Sequence, residues 1–426
     1  MTGPLPPRMN VRTAERQLAV AVVYSRTPLP MRRADQLTVA HLLAYLAERG
    51  HHVDLFTLAT GAKAGRAEKA WLERHCRSVS MVRHGRLRML TGLFWALVRG
   101  LPLQVGIFRN PRLTASFNSA SRRTRYDVVY TYYLRSAEVT RRMDGREEGG
   151  PLTVLAMQLS QALNTARILE NATSLWTRLL YRYEAPAVAR YEASVWRDFD
   201  QTVLIGEQDV AAVNAAAAAH GMSAIDNFFL CAHGTDLQRF RPRPEAVVPG
   251  RVVFSGVMRT PTNAQAVLWF VKHVWPAVRR RVPGASFWIV GREPGPEVRR
   301  LQAEAGVIVT GTVPDPAEEI AKAQVCVNPM LAGGGMQNKL LEYLASGKPT
   351  VATNVANEGI NAPRDCVRLA DTAEDFAAAV SELLEDPAEA GGLGERARRF
   401  VEATWSWEAQ FLHLEEQIEA ALSERT

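Results

Sequence analysis

Two hydrophobic patterns alternate along the first half of the chain and together predict an α/β domain. Short runs rich in Val, Ile and Leu are bounded by polar or turn residues, at positions 18–24, 53–58, 126–132, 152–157 and 202–205. Such runs are typical of parallel strands that are buried on both faces. Segments with apolar residues three or four positions apart lie between them and predict helices. Consecutive β-α-β units imply right-handed crossovers and a parallel sheet.

The second half repeats this architecture. Strands are predicted at 251–256, 286–291, 307–311 and 325–329, with a helix from about 263 to 281 between the first two. A second doubly wound α/β domain follows from this order.

Five segments summarise the predicted domain organisation. We expect a flexible tail at 1–16, a Rossmann-like domain at 17–238, a Pro-rich linker at 239–250, a second Rossmann-like domain at 251–405, and a helix at 406–426. The last helix is expected to pack back toward the first domain.

Residues 67–125 are predicted to be mostly helical, and they carry an apolar stripe. Its members recur at helical spacing and are Leu87, Leu90, Leu93, Phe94 and Leu97. Such a stripe favours a core position or a seam between helices. Docking on a membrane is the alternative, because Arg83, Arg86 and Arg88 flank the stripe.

Composition narrows the class of protein. The chain has 426 residues, of which 47% are hydrophobic and 22% charged, values typical of a soluble globular protein. Its net charge of +7 favours anionic ligands or an anionic membrane surface, without the basic and aromatic stripe expected of a nucleic-acid binder. Four widely spaced cysteines indicate neither a zinc site nor a disulfide framework, so we expect a cytoplasmic protein, with peripheral contact at the inner membrane face left open.

The segment 333–353 carries the most specific chemistry. Three glycines, Gly333 to Gly335, precede a predicted helix whose unpaired N–H groups point back at the loop and favour an anion. Lys339 and Glu342 lie three residues apart near the start of that helix, on the side opposite its leucines. Ordinary packing of an α/β unit is the alternative explanation of such a glycine turn.

Several blocks in the second half resemble retaining glycosyltransferases of family 4, most closely the bacterial sugar transferases associated with exopolysaccharides. The blocks are Val253–Met258, Phe287–Arg292, Thr310–Asp315 and Gly335–Glu342. The resemblance implies the GT-B fold, in which two Rossmann-like domains with parallel sheets face each other across a cleft.

The same resemblance implies a function. The chain would move a sugar from a nucleoside-diphosphate-sugar donor (UDP-, GDP- or dTDP-sugar) to a hydroxyl of a glycan, lipid-linked or natural-product acceptor. The transfer would retain the anomeric configuration and need neither a metal ion nor a cofactor beyond the donor. A catalytically silent homologue that binds nucleotide or a partner subunit is the alternative, and an epimerase on the same fold is a third.

Residue roles follow from the resemblance by position. Glu342 would accept hydrogen bonds from the ribose hydroxyls, and Lys339 and Arg259 would stabilise the leaving diphosphate. The remaining donor contacts would be Asn338, Gly333, Gly334, Gly335, Gly256, Gly291, Arg292 and Val313. The acceptor side would include Arg32, Arg33, Gln158 and Ser160.

The sequence departs from the family pattern at two places. Gly334 occupies the position eight residues before Glu342, where the family usually has a carboxylate. Residues 28–35 lack the glycine that normally approaches the phosphates, and Arg32 or Arg33 could replace it or bind an anionic acceptor.

Overall fold

Two compact units make up the chain in this computed structural model, which describes residues 5, 6, 9, 11–31, 33–59, 65–143, 149–170, 174–332 and 336–425. The first unit comprises residues 1–233 and 410–426, and the second comprises residues 234–409. The domain limits and the linker at 239–250 that the sequence predicts stay predictions.

A seven-stranded parallel sheet forms the centre of the first unit. Its strands are β1 (Ala19–Tyr24), β2 (His52–Ala59), β3 (Ser78–Arg83), β4 (Val128–Tyr132), β5 (Leu152–Gln158), β6 (Gln201–Leu204) and β7 (Phe228–Leu230). They follow the order β3-β2-β1-β4-β5-β6-β7, so the chain changes direction across the sheet between β1 and β4. The helices of this unit are α1 (Ala34–Glu48), α2 (Arg66–His75), α3 (Arg86–Arg99), α4 (Leu103–Phe108), α5 (Pro111–Arg123), α6 (Ala137–Thr140), α7 (Gln161–Glu170), α8 (Leu175–Val195) and α9 (Glu207–Ala219).

The second unit has a six-stranded parallel sheet. Its strands are β8 (Arg251–Ser255), β9 (Ser286–Val290), β10 (Val307–Gly311), β11 (Val325–Asn328), β12 (Thr350–Ala352) and β13 (Arg368–Leu369). The order β10-β9-β8-β11-β12-β13 again changes direction at the first strand of the unit. The helices are α10 (Pro261–Trp269), α11 (Trp275–Arg281), α12 (Pro296–Arg300), α13 (Pro316–Ala321), α14 (Asn338–Ala345), α15 (Asn354–Asn357), α16 (Ala373–Glu385), α17 (Pro387–Thr404) and α18 (Trp407–Ser423), the last of which runs into the first unit.

The α/β fold with two parallel sheets is confirmed, and two elements differ from the prediction. Strand β3 lies inside the region 67–125, where only helices were expected, because its partly exposed residues do not form a continuous apolar run. The helix predicted at 263–281 contains a π-helical turn at Phe270–Val274.

A buried carboxylate on helix α18 forms hydrogen bonds with the first unit. Glu415 accepts hydrogen bonds from Tyr45 Oη at 2.6 Å, Arg49 Nε at 2.8 Å and His51 Nε2 at 3.0 Å. Burial works against ionisation, but these hydrogen bonds lower the pKa of Glu415 to about 2. The carboxylate is therefore ionised at neutral pH and compensates the charge of Arg49.

The interpretation of the leucine stripe on α3 as a core element or helix seam is wrong. Leu87, Leu90, Phe94 and Leu97 are exposed, and the buried residues of α3 are Gly92 and Ala96. Periodicity shows that residues share a helix face, and it does not show whether that face is turned inward. No helix among the described residues is long and apolar enough to cross a membrane.

Candidate functional site

A cavity of about 710 Å³ lies in the second unit at the carboxyl ends of its central strands. Ser255 ends β8 and Gly256 follows it, Val290 ends β9 and Gly291 follows it, and Met330 lies just after β11. Parallel sheets bind ligands at this edge, where the strand order changes direction. The cavity brings together seven of the predicted donor-site residues, namely Gly256, Gly291, Arg292, Val313, Asn338, Lys339 and Glu342.

Helix α14 turns two charged side chains toward this cavity because its opposite side is anchored. Leu340, Leu341 and Leu344 are buried in the core of the second unit. The Tyr343 hydroxyl accepts a 2.6 Å hydrogen bond from the backbone N–H of Ser255, at the end of β8. This bond fixes α14 against the central strand, and Lys339 and Glu342 project from the remaining side into the cavity.

Lys339 is held by groups that leave its charge largely uncompensated. Its ammonium donates to Asn263 Oδ1, lies 3.6 Å from Met330 Sδ and sits 4.6 Å from the centre of the Phe254 ring. Asn263 is oriented by its own hydrogen bond to the Val257 carbonyl, at 3.1 Å. Burial lowers the pKa of Lys339 to about 8, although Glu342 raises it. Such a desolvated ammonium gains strongly from an anionic ligand.

Among the described residues, Glu342 has no direct ion-pair partner. Burial raises its pKa to about 7, opposed by the charges of Arg239 and Lys339 and reinforced by Asp315. Arg239 itself donates to Asp315 Oδ1 at 2.8 Å. Glu342 therefore offers acceptor oxygens to a ligand that can donate hydrogen bonds.

Gly256 and Gly291 allow two strand ends to approach each other. A methyl group on Gly291, whose φ is 153°, would lie 1.7 Å from the carbonyl oxygen of Gly256. A methyl group on Gly256 would lie 2.8 Å from Asn263 Nδ2. Packing within the unit thus requires both glycines. Their presence is therefore explained whether or not a ligand binds at this position.

The N-terminus of α14 lies at the cavity, which Gln337 and Asn338 line. Gln337 is the N-cap residue, and its side chain makes no capping hydrogen bond to the first backbone N–H groups. Such N–H groups favour an anion. The predicted loop residues Gly333, Gly334 and Gly335 lie outside the described residues.

Arg259 does not line this cavity. Its exposed guanidinium forms an ion pair with Glu293 at 3.0 Å and lines a separate cavity of about 610 Å³ with Trp269 and Lys272. The sequence placed Arg259 near the site because it follows the Gly256 turn, and position along the chain did not reveal its partner.

The predicted acceptor-side residues of the first unit have different surroundings. Ser160 is buried and donates from Oγ to Glu192 at 2.7 Å. Gln158 is buried at the end of β5 with a φ of 68°, and its Oε1 has no hydrogen-bond partner among the described residues. Arg33 is exposed before α1, and Arg32 lies outside the described residues.

Sequence reasoning missed an ionic cluster at the carboxyl ends of β1 and β4. Asp35 accepts from Arg26 Nη1 at 2.9 Å and from Arg135 Nη2 at 2.6 Å. Both guanidinium groups also lie within 5 Å of the centre of the Phe108 ring. Arg135 is about a hundred residues from Asp35 in the chain, so no local motif connects them.

The described part of the chain contains no preformed set of metal ligands. There, no group of three or more His, Cys, Asp or Glu side chains is arranged to hold a metal ion.

Comparisons with known proteins agree with this geometry. Residues 249–386, which contain the cavity, match the family described as "Glycosyl transferases group 1". An uncharacterised 44.6 kDa protein of the cps region of Klebsiella pneumoniae is 21% identical over 80% of this chain and 84% of its own length. A GDP-mannose-dependent α-(1-6)-phosphatidylinositol monomannoside mannosyltransferase of Mycobacterium tuberculosis is 31% identical over 41% of this chain, which spans about half (51%) of that enzyme.

The fold is shared with a solved structure. HepE of Anabaena, in its complex with UDP and glucose, superposes with a TM-score of 0.56 at 15% identity, over 95% of this chain and 100% of HepE. Together with the two parallel sheets, this similarity confirms the GT-B fold. Over residues 249–386, the chain thus matches the group 1 glycosyltransferases.

Proposed function

We infer that the chain is a retaining glycosyltransferase that transfers a sugar from a nucleoside-diphosphate-sugar donor to a hydroxyl acceptor. One observation carries the proposal: the desolvated Lys339 ammonium, the Glu342 carboxylate, which has no ion-pair partner among the described residues, and the N-terminus of α14 line one cavity at the strand-order switch. HepE was solved with UDP and glucose, and the mannosyltransferase relative uses GDP-mannose, which supports a nucleotide-sugar donor here.

Lys339 and the N-terminus of α14 would bind the diphosphate. The pKa of Lys339, about 8, leaves the ammonium mostly protonated at neutral pH, and a bound diphosphate would raise it further. Negative charge grows on the diphosphate as the sugar bond breaks. A fixed cation at that position stabilises the transition state more than the ground state.

Glu342 would accept hydrogen bonds from the ribose hydroxyls. A carboxylate suits this task because, when ionised, it only accepts hydrogen bonds. Its pKa of about 7 means that ribose binding and ionisation of Glu342 favour each other. Asn338 and the backbone around Gly256, Gly291, Arg292 and Val313 would complete the donor site.

The transfer itself needs few protein groups. The bond between the anomeric carbon and the diphosphate oxygen breaks, and its electron pair stays on the diphosphate. The acceptor oxygen forms the new bond on the same face of the sugar, and its proton passes to the departing diphosphate. Because Lys339 and the helix N-terminus supply the positive charge, we propose that no metal ion is required.

The acceptor would be bound by the first unit, with Gln158, Ser160, Arg33 and Arg32 as candidate contacts. Gln158 fits best, because its buried Oε1 has no partner among the described residues and could accept a hydrogen bond from a sugar hydroxyl. Ser160 would act indirectly, since its hydroxyl is bound to Glu192.

A catalytically silent nucleotide-binding homologue is the second candidate. The ion pair between Arg259 and Glu293 favours it, because it keeps the second proposed cation out of the cavity. Gly334, in place of the usual carboxylate, favours it too.

Titration calorimetry and turnover separate these functions. We expect UDP, GDP or dTDP to bind, and acceptor-dependent release of the same diphosphate from its sugar donor. Binding without release from any donor and acceptor pair would establish the silent homologue. Failure of all three diphosphates to bind would refute both.

A further inference from the structure

The first unit exposes a large apolar surface on two helices, which we name the apolar face. Its α3 members are between 49 and 75% exposed and are Leu87, Leu90, Phe94, Leu97 and Val98. Its α8 members are between 50 and 81% exposed and are Leu175, Trp176, Leu179 and Leu180. Exposed apolar surface of this extent marks sites that are covered by a partner or a membrane.

Helix α3 is attached to the protein by its small residues and not by its large ones. Gly92 and Ala96 are buried against Gly106 of α4, where a methyl group on Gly92 would lie 2.0 Å from the Gly106 carbonyl oxygen. The opposite side of α3 carries the leucines and the phenylalanine. This is the reverse of an ordinary surface helix, whose large apolar side chains face the core.

The start of α8 belongs to the same region. Tyr183 Oη donates to the Leu101 carbonyl at 3.1 Å, and Glu184 accepts from the backbone N–H of Leu103 at 2.6 Å. Both bonds join α8 to the segment that directly follows α3. The exposed residues Leu175 to Leu180 precede this junction by one or two helical turns.

The charge along the segment that contains α3 has one sign. From Arg74 to Tyr126 the chain has eleven arginines and neither aspartate nor glutamate. Arg83 is exposed at the end of β3, Arg86 is exposed at the start of α3, and Arg99 ends that helix. Glu184, at the junction with α8, is buried and accepts hydrogen bonds from backbone N–H groups of α4.

We propose that the apolar face docks the protein on an anionic lipid membrane. An amphipathic helix with apolar side chains on one side and arginines beside them lies in the plane of the membrane, with its apolar side in the acyl boundary. Arginines near the surface are attracted to anionic headgroups, and Trp176 is of the type enriched at the lipid–water interface.

The charge argues against a second copy of this chain as the occupant. An isologous contact through the apolar face would bring two arginine-rich, carboxylate-free segments together. Like charges across an interface are unfavourable. Anionic lipid supplies the complementary charge that a second copy lacks.

Vesicle co-sedimentation of the full chain, without substrates, tests this proposal independently of the transfer reaction. We expect sedimentation with vesicles of phosphatidylcholine and phosphatidylglycerol, weakening as salt is added, and little with phosphatidylcholine alone. Leu90→Ser/Phe94→Ser should lower the partition coefficient on the order of a hundredfold. The matched control Val248→Ser/Leu412→Ser replaces two similarly exposed apolar residues outside the apolar face and should leave binding unchanged.

Charge is tested by a second matched pair. Arg86→Gln should lower the partition coefficient roughly fivefold, whereas Arg280→Gln, an exposed arginine of the second unit, should not. All six substituted residues are exposed, and circular dichroism checks that each of the four variants is folded. No binding of wild type to anionic vesicles, or equal losses in the test and control variants, would overturn the proposal. So would a dimer in sedimentation velocity that Leu90→Ser/Phe94→Ser converts to monomer.

Discussion

The carboxyl edges of the two sheets have the same topology and opposite electrostatic states. In the second unit, Lys339 and Glu342 face a cavity, and neither has a direct ion-pair partner in the part of the chain that the structure describes. In the first unit, the edge is filled by the chain itself, with Asp35 between Arg26 and Arg135. A shared fold therefore does not decide where polar groups are left for a ligand; the side chains at the strand ends decide it.

This difference explains why one half of the reaction is easier to infer than the other. Unsatisfied charge in a cavity has a chemical complement, here a diphosphate and a ribose. Charge that is neutralised within the protein, as between Asp35 and the two arginines, does not indicate a ligand in this way. The structure thus supports a class of donor. For the acceptor it offers the buried Oε1 of Gln158, and this uncharged group does not indicate a particular class of ligand.

Removing the Lys339 ammonium from the cavity of the second unit should have the largest effect on activity. Lys339→Ala should lower kcat for sugar transfer about 10²- to 10³-fold, because it removes a charge that acts mainly on the leaving diphosphate. Steady-state kinetics measures this loss. Lys272→Ala, which removes an exposed lysine outside the cavity, is the control, and equal losses in both variants would break the comparison.

Breaking the ionic cluster at Asp35 in the first unit should lower the stability of the protein. Asp35→Asn leaves Arg26 and Arg135 without their shared carboxylate, and we expect the free energy of unfolding to fall by about 3 kcal/mol. Urea denaturation at pH 7 measures it, with the exposed Asp226→Asn as control. A stable variant would mean that these arginines need no internal anion.

The pH dependence of that loss has a definite sign. Burial opposes ionisation, but Arg135 and Arg26 hold the pKa of Asp35 below its usual value. A carboxyl whose folded pKa is lowered contributes stability above its unfolded pKa, about 3.9, and loses it as the pH falls further. The difference between wild type and Asp35→Asn should therefore be full at pH 7 and shrink below about pH 4.

Glu342 should affect nucleotide affinity less strongly than Lys339 affects rate. Glu342→Ala should weaken nucleoside diphosphate binding by about 1–3 kcal/mol, through lost ribose hydrogen bonds. The matched ligand is the 2′,3′-dideoxy diphosphate of the same base, which should bind wild type and variant almost equally. If the variant weakens both ligands by the same factor, Glu342 does not contact the ribose. Glu374→Gln, at an exposed glutamate, controls for surface charge.

The smallest expected effect is a narrow pH optimum. The pKa values of Glu342, about 7, and Lys339, about 8, imply a bell-shaped kcat/KM with its maximum between them. Activity should fall up to tenfold per pH unit on either side. A flat profile from pH 6 to 9 would contradict the proposed roles of both groups.

The sequence predicted those features that depend on local pattern. Buried strands, the order of βα units and the helix carrying Lys339 and Glu342 follow from runs and spacings within about twenty residues. The β3 strand was missed, because its half-exposed residues lack a continuous apolar run.

Features set by contacts distant in the chain could not be predicted. Arg135 donates a hydrogen bond to Asp35, one hundred positions away in the chain, and Arg259 forms an ion pair with Glu293 on another loop. The outward direction of the α3 leucines depends on the fit between Gly92 and Gly106, which no periodicity encodes.

A crystal structure with the best-binding nucleoside diphosphate tests the central claim most directly. We predict diphosphate oxygens about 3 Å from Lys339 Nζ and from the first N–H groups of α14, with ribose hydroxyls at the same distance from the Glu342 carboxylate. A nucleotide bound in the Arg259 cavity, or at the carboxyl edge of the first sheet, would contradict it.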